Sequence, residues 1–403
     1  MKRNRLSSPM SSPTILPTDL IIEILSWLPV KFLVRFTSVS KLWKSLIFDP
    51  SFTKLHLQRS PKNTHVLFTL HESINDVDTW VVAPYSLRDL LEHPSSTVSE
   101  DEYLRFNNNT YYVVGSTKGL VCLMDDNSQQ DGSREIWFQF WNPTLRLSSE
   151  KSPTLIVKPN ARLSADVHCG FGYDKSSDTF KVVAVFWNST TQKMDGRVHC
   201  MGNNCWRKTL ACPDIPTLLG TLIGQFVNGS LNWLALNNLN CHQYKWENVT
   251  IKQLVIFSLD LRKETCKYIS LPDGFVEVPE DEPTLVVLRG CLCLYYDHMK
   301  THFVLWEMRE FGVQESWIRL VNVSYVHLQF NNFAPDDVLP VCLSENGDLL
   351  LMANKVKVDV IKYNSSDDKV EYIQLPNNQI WYADEHMQSL VLPSPGPHKG
   401  LFF

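Results

Sequence analysis

Apolar side chains along this chain keep two different rhythms. Between residues 16 and 50 they fall at helical spacing. Leu20, Ile21, Ile24, Leu25 and Leu28 form one broad face, and Phe32, Leu33, Phe36 and Val39 form a second. Leu42, Trp43, Leu46 and Ile47 form a third, beginning near Ser40 and stopped at Asp49-Pro50. Pro17 stands before the first run, with Thr18 or Asp19 placed to cap it, and Pro29 ends it. The pattern predicts about three helices over 16–52. A unit below roughly 40 residues seldom supports a core without a metal, disulfides or a partner. This block contains no cysteine. Either it packs on the rest of the chain, or another protein covers its surplus apolar surface.

Beyond Phe52 the rhythm shortens to runs of four to seven residues rich in Val, Leu, Phe, Trp and Tyr, separated by Asn, Asp, Gly, Ser and Pro. That is strand-and-turn grammar. Clear cases are 111–114, 119–124, 180–187, 230–236, 254–259, 291–295, 303–308, 348–352 and 356–363. A glycine ahead of an apolar strand recurs at Gly119, Gly172, Gly229, Gly290 and Gly347, at intervals of 53 to 61 residues. Repeats of that size built from short strands predict propeller blades or an array of stacked sheets, and the strand-like stretch 64–86 brings the number of units to about six. Residues 388–392 are expected to pair with the first blade and close the ring, removing its free edges.

The residues of the helical head resemble an F-box. The likeness runs through Leu16-Pro17, Asp19-Leu20, Glu23-Ile24-Leu25 and Leu28-Pro29-Val30-Lys31. It continues through Leu33, Arg35-Phe36, Val39-Ser40-Lys41, Trp43, Leu46-Ile47, Pro50 and Phe52. Trp27 departs from it, standing where the family usually has a polar or basic residue, and so do Thr37-Ser38. The body resembles the F-box-associated interaction domain of plant F-box proteins. There the likeness rests on 115–120, Trp141-Asn142-Pro143, Gly170-Phe171-Gly172-Tyr173-Asp174, Phe180-Lys181-Val182-Val183, Phe226-Val227-Asn228-Gly229, Leu231, Trp233, Phe257, Leu259-Asp260 and Ser389-Leu390-Val391. Kelch and WD signatures are missing, since the chain has no Gly-Gly and no Trp-Asp pair.

These resemblances imply an α-then-all-β protein, with a three-helix F-box followed by a propeller-like domain of about six blades. The expected layout is a basic, polar tail over 1–12, the F-box over 13–55, the propeller over 60–393 and a tail over 394–403. They imply that the F-box binds a Skp-type adaptor, and through it the cullin and RING subunits of a ubiquitin ligase. Carried over by position, Leu16, Pro17, Leu20, Leu28, Pro29, Val39 and Trp43 are the adaptor contacts. The propeller would then recruit an unknown target protein for ubiquitination.

Composition narrows the alternatives. With 403 residues, 44% hydrophobic and 20% charged, the chain is ordinary globular material. Its net charge of −5 provides no basic field for nucleic acid or an anionic membrane. Lys2, Arg3 and Arg5 are followed by polar residues rather than an apolar stretch, unlike a signal peptide, and no apolar run approaches a membrane span. Cytoplasm or nucleus is therefore the expected compartment, and the ten cysteines are expected to be reduced. The sequons at Asn108, Asn188, Asn228, Asn248, Asn322 and Asn364 come without an export signal.

The best metal candidate is Cys200, Cys205 and Cys212 with His199 and Cys241-His242, but this spacing fits no common zinc pattern. Cys291 and Cys293 fall on one face of a strand, where they pack as small hydrophobes. No P-loop, dinucleotide glycine motif, nucleophile elbow or H-E-x-x-H is present. No metal, cofactor or catalytic residue is predicted. The acidic stretch Asp273, Glu277, Glu280-Asp281-Glu282 reads as a solvated connection. Two other readings stand beside the receptor. A propeller enzyme needs ionisable residues converging on the channel, and a scaffold without a ligase needs Leu16, Pro17 and Trp43 buried internally.

Overall fold

Helical spacing in the first segment yields four short helices: α1 (Thr18–Leu25), α2 (Val30–Phe36), α3 (Lys41–Ile47) and α4 (Pro50–Arg59). The computed structural model describes residues 16–60, 65–74, 77–92, 104–107, 112–158, 167–188, 190–191, 193–209, 217–219, 222–237, 245–330, 337–354, 359–373 and 379–394. The tails expected at 1–12 and, but for Ser394, at 394–403 lie outside the described residues. The chain divides into two compact units, Met1–Pro61 and Lys62–Phe403.

The three expected helices are present, and Asp49-Pro50 opens a fourth. Asp49 Oδ1 accepts from the backbone N–H groups of Ser51 (2.9 Å) and Phe52 (3.3 Å), and Pro50 takes the first helical position, where no N–H is needed. Ser40 caps α3 by accepting from Trp43 N–H at 3.1 Å. Neither Thr18 nor Asp19 caps α1. Its N-cap is Pro17, held in an extended conformation without a side-chain bond, while Asp19 sits in the first turn and complements the helix dipole.

The body is a propeller of six blades among the described residues. Their innermost strands, from blade 1 to blade 6, are Gln379–His386, Tyr112–Thr117, Val167–Asp174, Ile223–Val227, Thr284–Leu288 and Asp337–Leu343. These six contact one another in a closed cycle. Blades 3 and 4 share a short parallel pairing, Ile223 with Cys169 and Gly224 with Gly170, so their strands form one continuous sheet.

The second strands of the blades, such as Thr179–Asn188 and Ser230–Leu236, are buried on both faces, which explains their near-continuous apolar runs. In the second strand of blade 2, Leu120, Cys122 and Met124 point toward blade 3, and Val121 and Leu123 point toward blade 1. In blade 4, Leu231, Trp233 and Ala235 face blade 3, while Leu234 and Leu236 face blade 5. Six apolar clusters fill the gaps between neighbouring blades, including the gap between the last blade and the first.

The recurring glycines have two different causes. Gly119, Gly229 and Gly290 are the second residues of two-residue hairpins, at φ +78°, +79° and +76°, each after a residue that also has positive φ. These are type I′ turns, which match the twist of the flanking strands. Gly172 instead lies inside a strand, where a Cβ would fall 2.3 Å from Phe226. It marks the close approach of blades 3 and 4, and the blade 3 hairpin turns over 175–178.

A second repeat was not legible in advance. At Asn142, Asp174, Asp260 and Asn364 a side-chain oxygen accepts a backbone N–H two or three residues on. The residue four positions later (Arg146, Asp178, Glu264 or Asp368) has φ between 49° and 56°.

The strand that closes the ring is Gln379–His386, antiparallel to His65–Ile74. Residues 388–392 were expected in that role and do not fill it. They form an irregular strap against blade 2, because Asn142 Nδ2 donates to the carbonyls of Ser389 (3.0 Å) and Val391 (2.7 Å) and draws the chain out of strand register. Ser389 and Leu390 are buried there.

The motif residues Asp174 and Lys181 form a buried pair. Lys181 Nζ lies 2.9 Å from Asp174 Oδ2 and donates to the Leu261 carbonyl at 2.6 Å, joining blade 3 to a turn of blade 4. Burial alone would raise the Asp174 carboxyl, but hydrogen bonds from Lys181, Ser176 and Ser177 outweigh it and hold the group well below the usual carboxylate range.

Thermal and chemical melts of the body test the buried pair and the strap. Lys181→Met leaves Asp174 buried without its counter-charge and costs about 3–5 kcal/mol, whereas Lys181→Met with Asp174→Asn costs less. The Asp174 contribution is present above the unfolded carboxylate pKa of about 3.9 and is lost as pH falls below it, so Asp174→Asn flattens the acid limb. At the strap, a Cβ on Gly119 would sit 2.2 Å from Ser389 Oγ, while one on Gly229 meets nothing within 4 Å at nearly the same φ. Gly119→Ala is expected to lose about 1–3 kcal/mol more than Gly229→Ala. Equal losses in urea melts would mean that the strap adds nothing to closure.

Candidate functional site

The head buries few of its apolar side chains. Leu25, Val30, Leu33, Ile47 and Phe52 are buried, and His56 is held among them by a 2.8 Å contact from Nε2 to the Leu28 carbonyl and by stacking on Phe52. Burial lowers the pKa of His56, so the ring is neutral at physiological pH. Among the described residues of the head, seven large apolar ones remain exposed: Leu16, Leu20, Ile24, Trp27, Phe32, Val39 and Leu42. Leu20, Ile24 and Trp27 fall four and three residues apart, a single stripe on the face of α1 opposite Leu25, and Leu16 precedes it by four.

Of the residues picked out by position, Leu16, Pro17, Leu20, Pro29 and Val39 are exposed, Leu16 at 54% and Val39 at 62%. Leu28 and Trp43 are half-buried, and the Trp43 ring meets Phe36 edge-on at 5.5 Å. Ile24, Trp27, Phe32 and Leu42 were not picked out. Leu42 is the most exposed of the seven, at 76%. Its helical spacing resembled that of core residues, so periodicity alone did not separate inward from outward faces.

The body offers little reactive geometry among its described residues. His199 is buried, with its ring parallel to Phe140 and 5.3 Å from Trp206, and its Nδ1 lies 3.4 Å from the Cys205 carbonyl. It is a packing residue. Cys200 is half-buried and Cys205 exposed; Cys212, Cys241 and His242 lie outside the described residues. No group of three His, Cys, Asp or Glu able to hold a metal occurs among the described residues. Cys293 is buried and Cys291 half-buried on the strand Cys291–His298, and burial raises both thiols.

A Ser–His–Asp grouping that sequence reading missed lies at the ring closure. Ser116 Oγ is 2.8 Å from His386 Nδ1, and Asp384 accepts from the Ser116 backbone N–H. It lacks the arrangement of a catalytic relay. His386 Nε2 has no hydrogen-bond partner, and Asp384 does not orient the imidazole. Burial, and then the neighbouring His65, push the His386 pKa down to about 3, too weak a base for neutral pH. Burial pushes Asp384 up to about 7 and Glu385 up to about 8. The signal was present in Ser116 and in Asp384-Glu385-His386, but 270 residues separate Ser116 from His386 and nothing local links them.

The acidic connection is a shaped loop. Phe275 is buried edge-on to Tyr296, Trp246 Nε1 donates to the Pro279 carbonyl at 2.8 Å, Gln314 holds Asp273, and Lys300 pairs with Asp281. Val276, Glu277 and Glu280 are exposed on it.

Comparison with known proteins agrees with this division. Residues 14–55 match the F-box domain family, and residues 65–387 match the family described as the F-box associated beta propeller domain. The F-box/kelch-repeat protein At3g23880 of Arabidopsis thaliana is 27% identical over 375 residues, covering 90% of this chain and 91% of that protein. F-box protein CPR1 of Arabidopsis thaliana is 27% identical over 327 residues, 76% of this chain and 73% of the relative. Among solved structures, the β-propeller domain of the trilobed protease from Pyrococcus furiosus aligns at 12% identity with a TM-score of 0.37, over 78% of this chain and 83% of that one. With a short helical head matched over 14–55 and a six-bladed body matched over 65–387, this chain belongs to the plant F-box proteins that carry a C-terminal F-box-associated β-propeller.

Proposed function

We propose that this chain is the substrate-receptor subunit of a Skp–cullin–F-box ubiquitin ligase. Leu16, Pro17, Leu20, Leu28, Pro29, Val39 and Trp43 dock the Skp-type adaptor. Cullin and RING subunits assemble through that adaptor, and the propeller holds a target protein. The chain then works without a catalytic residue of its own. Tethering raises the local concentration of target lysines near a ubiquitin-charged enzyme carried elsewhere in the complex.

The observation that carries this reading is the apolar surplus of the head. Among its described residues, five buried apolar residues are outnumbered by seven large exposed ones, a patch that a head of this size cannot turn inward and that marks a docking surface. A scaffold that used the head only as internal packing would bury Leu16, Pro17 and Trp43, whereas Leu16 and Pro17 are exposed and Trp43 is half-buried. Among the described residues an enzyme reading has only the Ser116–His386 pair to draw on, and that imidazole is buried and has no orienting carboxylate.

The test is co-purification of the full chain with a Skp-type adaptor, wild type against Leu16→Ala with Pro17→Ala. The wild type is expected to retain the adaptor, and the double variant to lose at least tenfold in affinity at an unchanged melting temperature, as expected when interface anchors are truncated. A wild-type chain that fails to bind any Skp-type adaptor overturns the reading.

A further inference from the structure

Trp27 is largely exposed, at 64%, and it is nevertheless fixed in place. Its Nε1–H donates to Glu23 Oε1 at 3.2 Å, one helical turn back in α1. The Arg59 guanidinium lies 4.9 Å from its ring centroid, within cation–π range. Arg59 is itself fixed, donating to Ser26 Oγ at 2.5 Å and pairing with Glu23 Oε2 at 3.0 Å. Two charged side chains from two helices therefore hold one indole against the head's surface with most of its area facing outward.

That arrangement has a cost and a use. An exposed indole leaves a large apolar area in water, and the hydrogen bond and cation–π contact that orient it leave most of that area uncovered. Oriented in advance, the ring loses little side-chain entropy when a partner seats on it, the condition under which tryptophan becomes a dominant interface residue. The occupant follows from continuity. Leu20 and Ile24 lie on α1 and Trp27 in the turn that follows it, at i, i+4 and i+7, so a protein lying along this face and covering Leu20 and Ile24 reaches Trp27. Arg59 comes from the last turn of α4, beyond the 14–55 segment matched as an F-box, so the brace lies outside that module.

We propose that Trp27 is an additional docking residue for the Skp-type adaptor, and that Arg59 is the residue that positions it. This rests on the receptor reading above. It assigns to this chain an aromatic anchor at a position where the resembled family usually carries a polar or basic residue.

The experiment is calorimetric titration of the purified full chain with a recombinant Skp-type adaptor. Trp27→Ala is expected to weaken binding about tenfold or more without moving the melting temperature, and Trp27→Phe, which keeps a ring, to recover part of the loss. Arg59→Ala is expected to weaken binding severalfold in the wild-type background and to have no further effect on Trp27→Ala, the non-additivity of a positioning residue. Hydrogen exchange on the unaltered complex, independent of any variant's folding, should show protection over 20–28. Wild-type affinity in Trp27→Ala, with binding still lost in the Leu16→Ala, Pro17→Ala variant, overturns this inference and leaves the receptor reading standing. Failure of the wild type to bind overturns both. Self-association abolished by Trp27→Ala at unchanged adaptor affinity assigns the face to a second copy of the chain and likewise overturns the inference.

Discussion

The antiparallel pairing of Gln379–His386 with His65–Ile74 is the contact on which the body depends. Every blade here is a small sheet buried on both faces, and each depends on a neighbour to cover those faces. A linear row of such sheets would end in two exposed apolar faces and two open strand edges. Joining the first and last blades through one shared sheet removes both ends at once. The strap over 387–392 then fastens the closed ring to the next blade, through Asn142 and the space left by the absent side chain of Gly119. The buried Asp174–Lys181 pair performs a comparable service between blades 3 and 4.

The two units solve the problem of burial in opposite ways. The body covers its apolar faces with its own chain, through six interlocking clusters. The head has too little chain to do so and keeps Leu16, Leu20, Ile24, Trp27, Phe32, Val39 and Leu42 in water. In the receptor reading, that incompleteness is the function. A module built to be finished by an adaptor is paired in it with a closed ring, on whose surface the braced acidic segment exposes Val276 and Glu280 while Phe275 joins the cluster beneath.

Much of this was legible in the residues. Helical spacing gave way to short apolar runs at Phe52, and the spacing of glycines set the blade number, because type I′ hairpins at Gly119, Gly229 and Gly290 demand positive φ and announce themselves. Gly172 joined the same series for an unrelated reason, the close approach of Phe226. Sequence spacing cannot distinguish a turn from a steric gap. The closing strand was placed about nine residues too late for a similar reason. Apolar Leu390 and Val391 resemble strand residues, and only Asn142, far away in the chain, decides that they run as a strap. In the head, periodicity revealed helices with more than one apolar face but not which faces stay wet, since that depends on how four helices meet.

The position of the closing strand also sets a timetable for synthesis. His65 leaves the ribosome more than three hundred residues before its partner His386 exists, a wait of roughly 15–60 s at ordinary elongation rates. The head is complete from the first moments of translation, while the ring stays open until almost its last residues are made. A nascent chain of this protein is therefore able to present its docking module long before it owns a finished surface with which to hold a target. In the receptor reading, a premature stop after the head and before residue 379 would yield a polypeptide that occupies an adaptor with an unsealed, aggregation-prone body behind it.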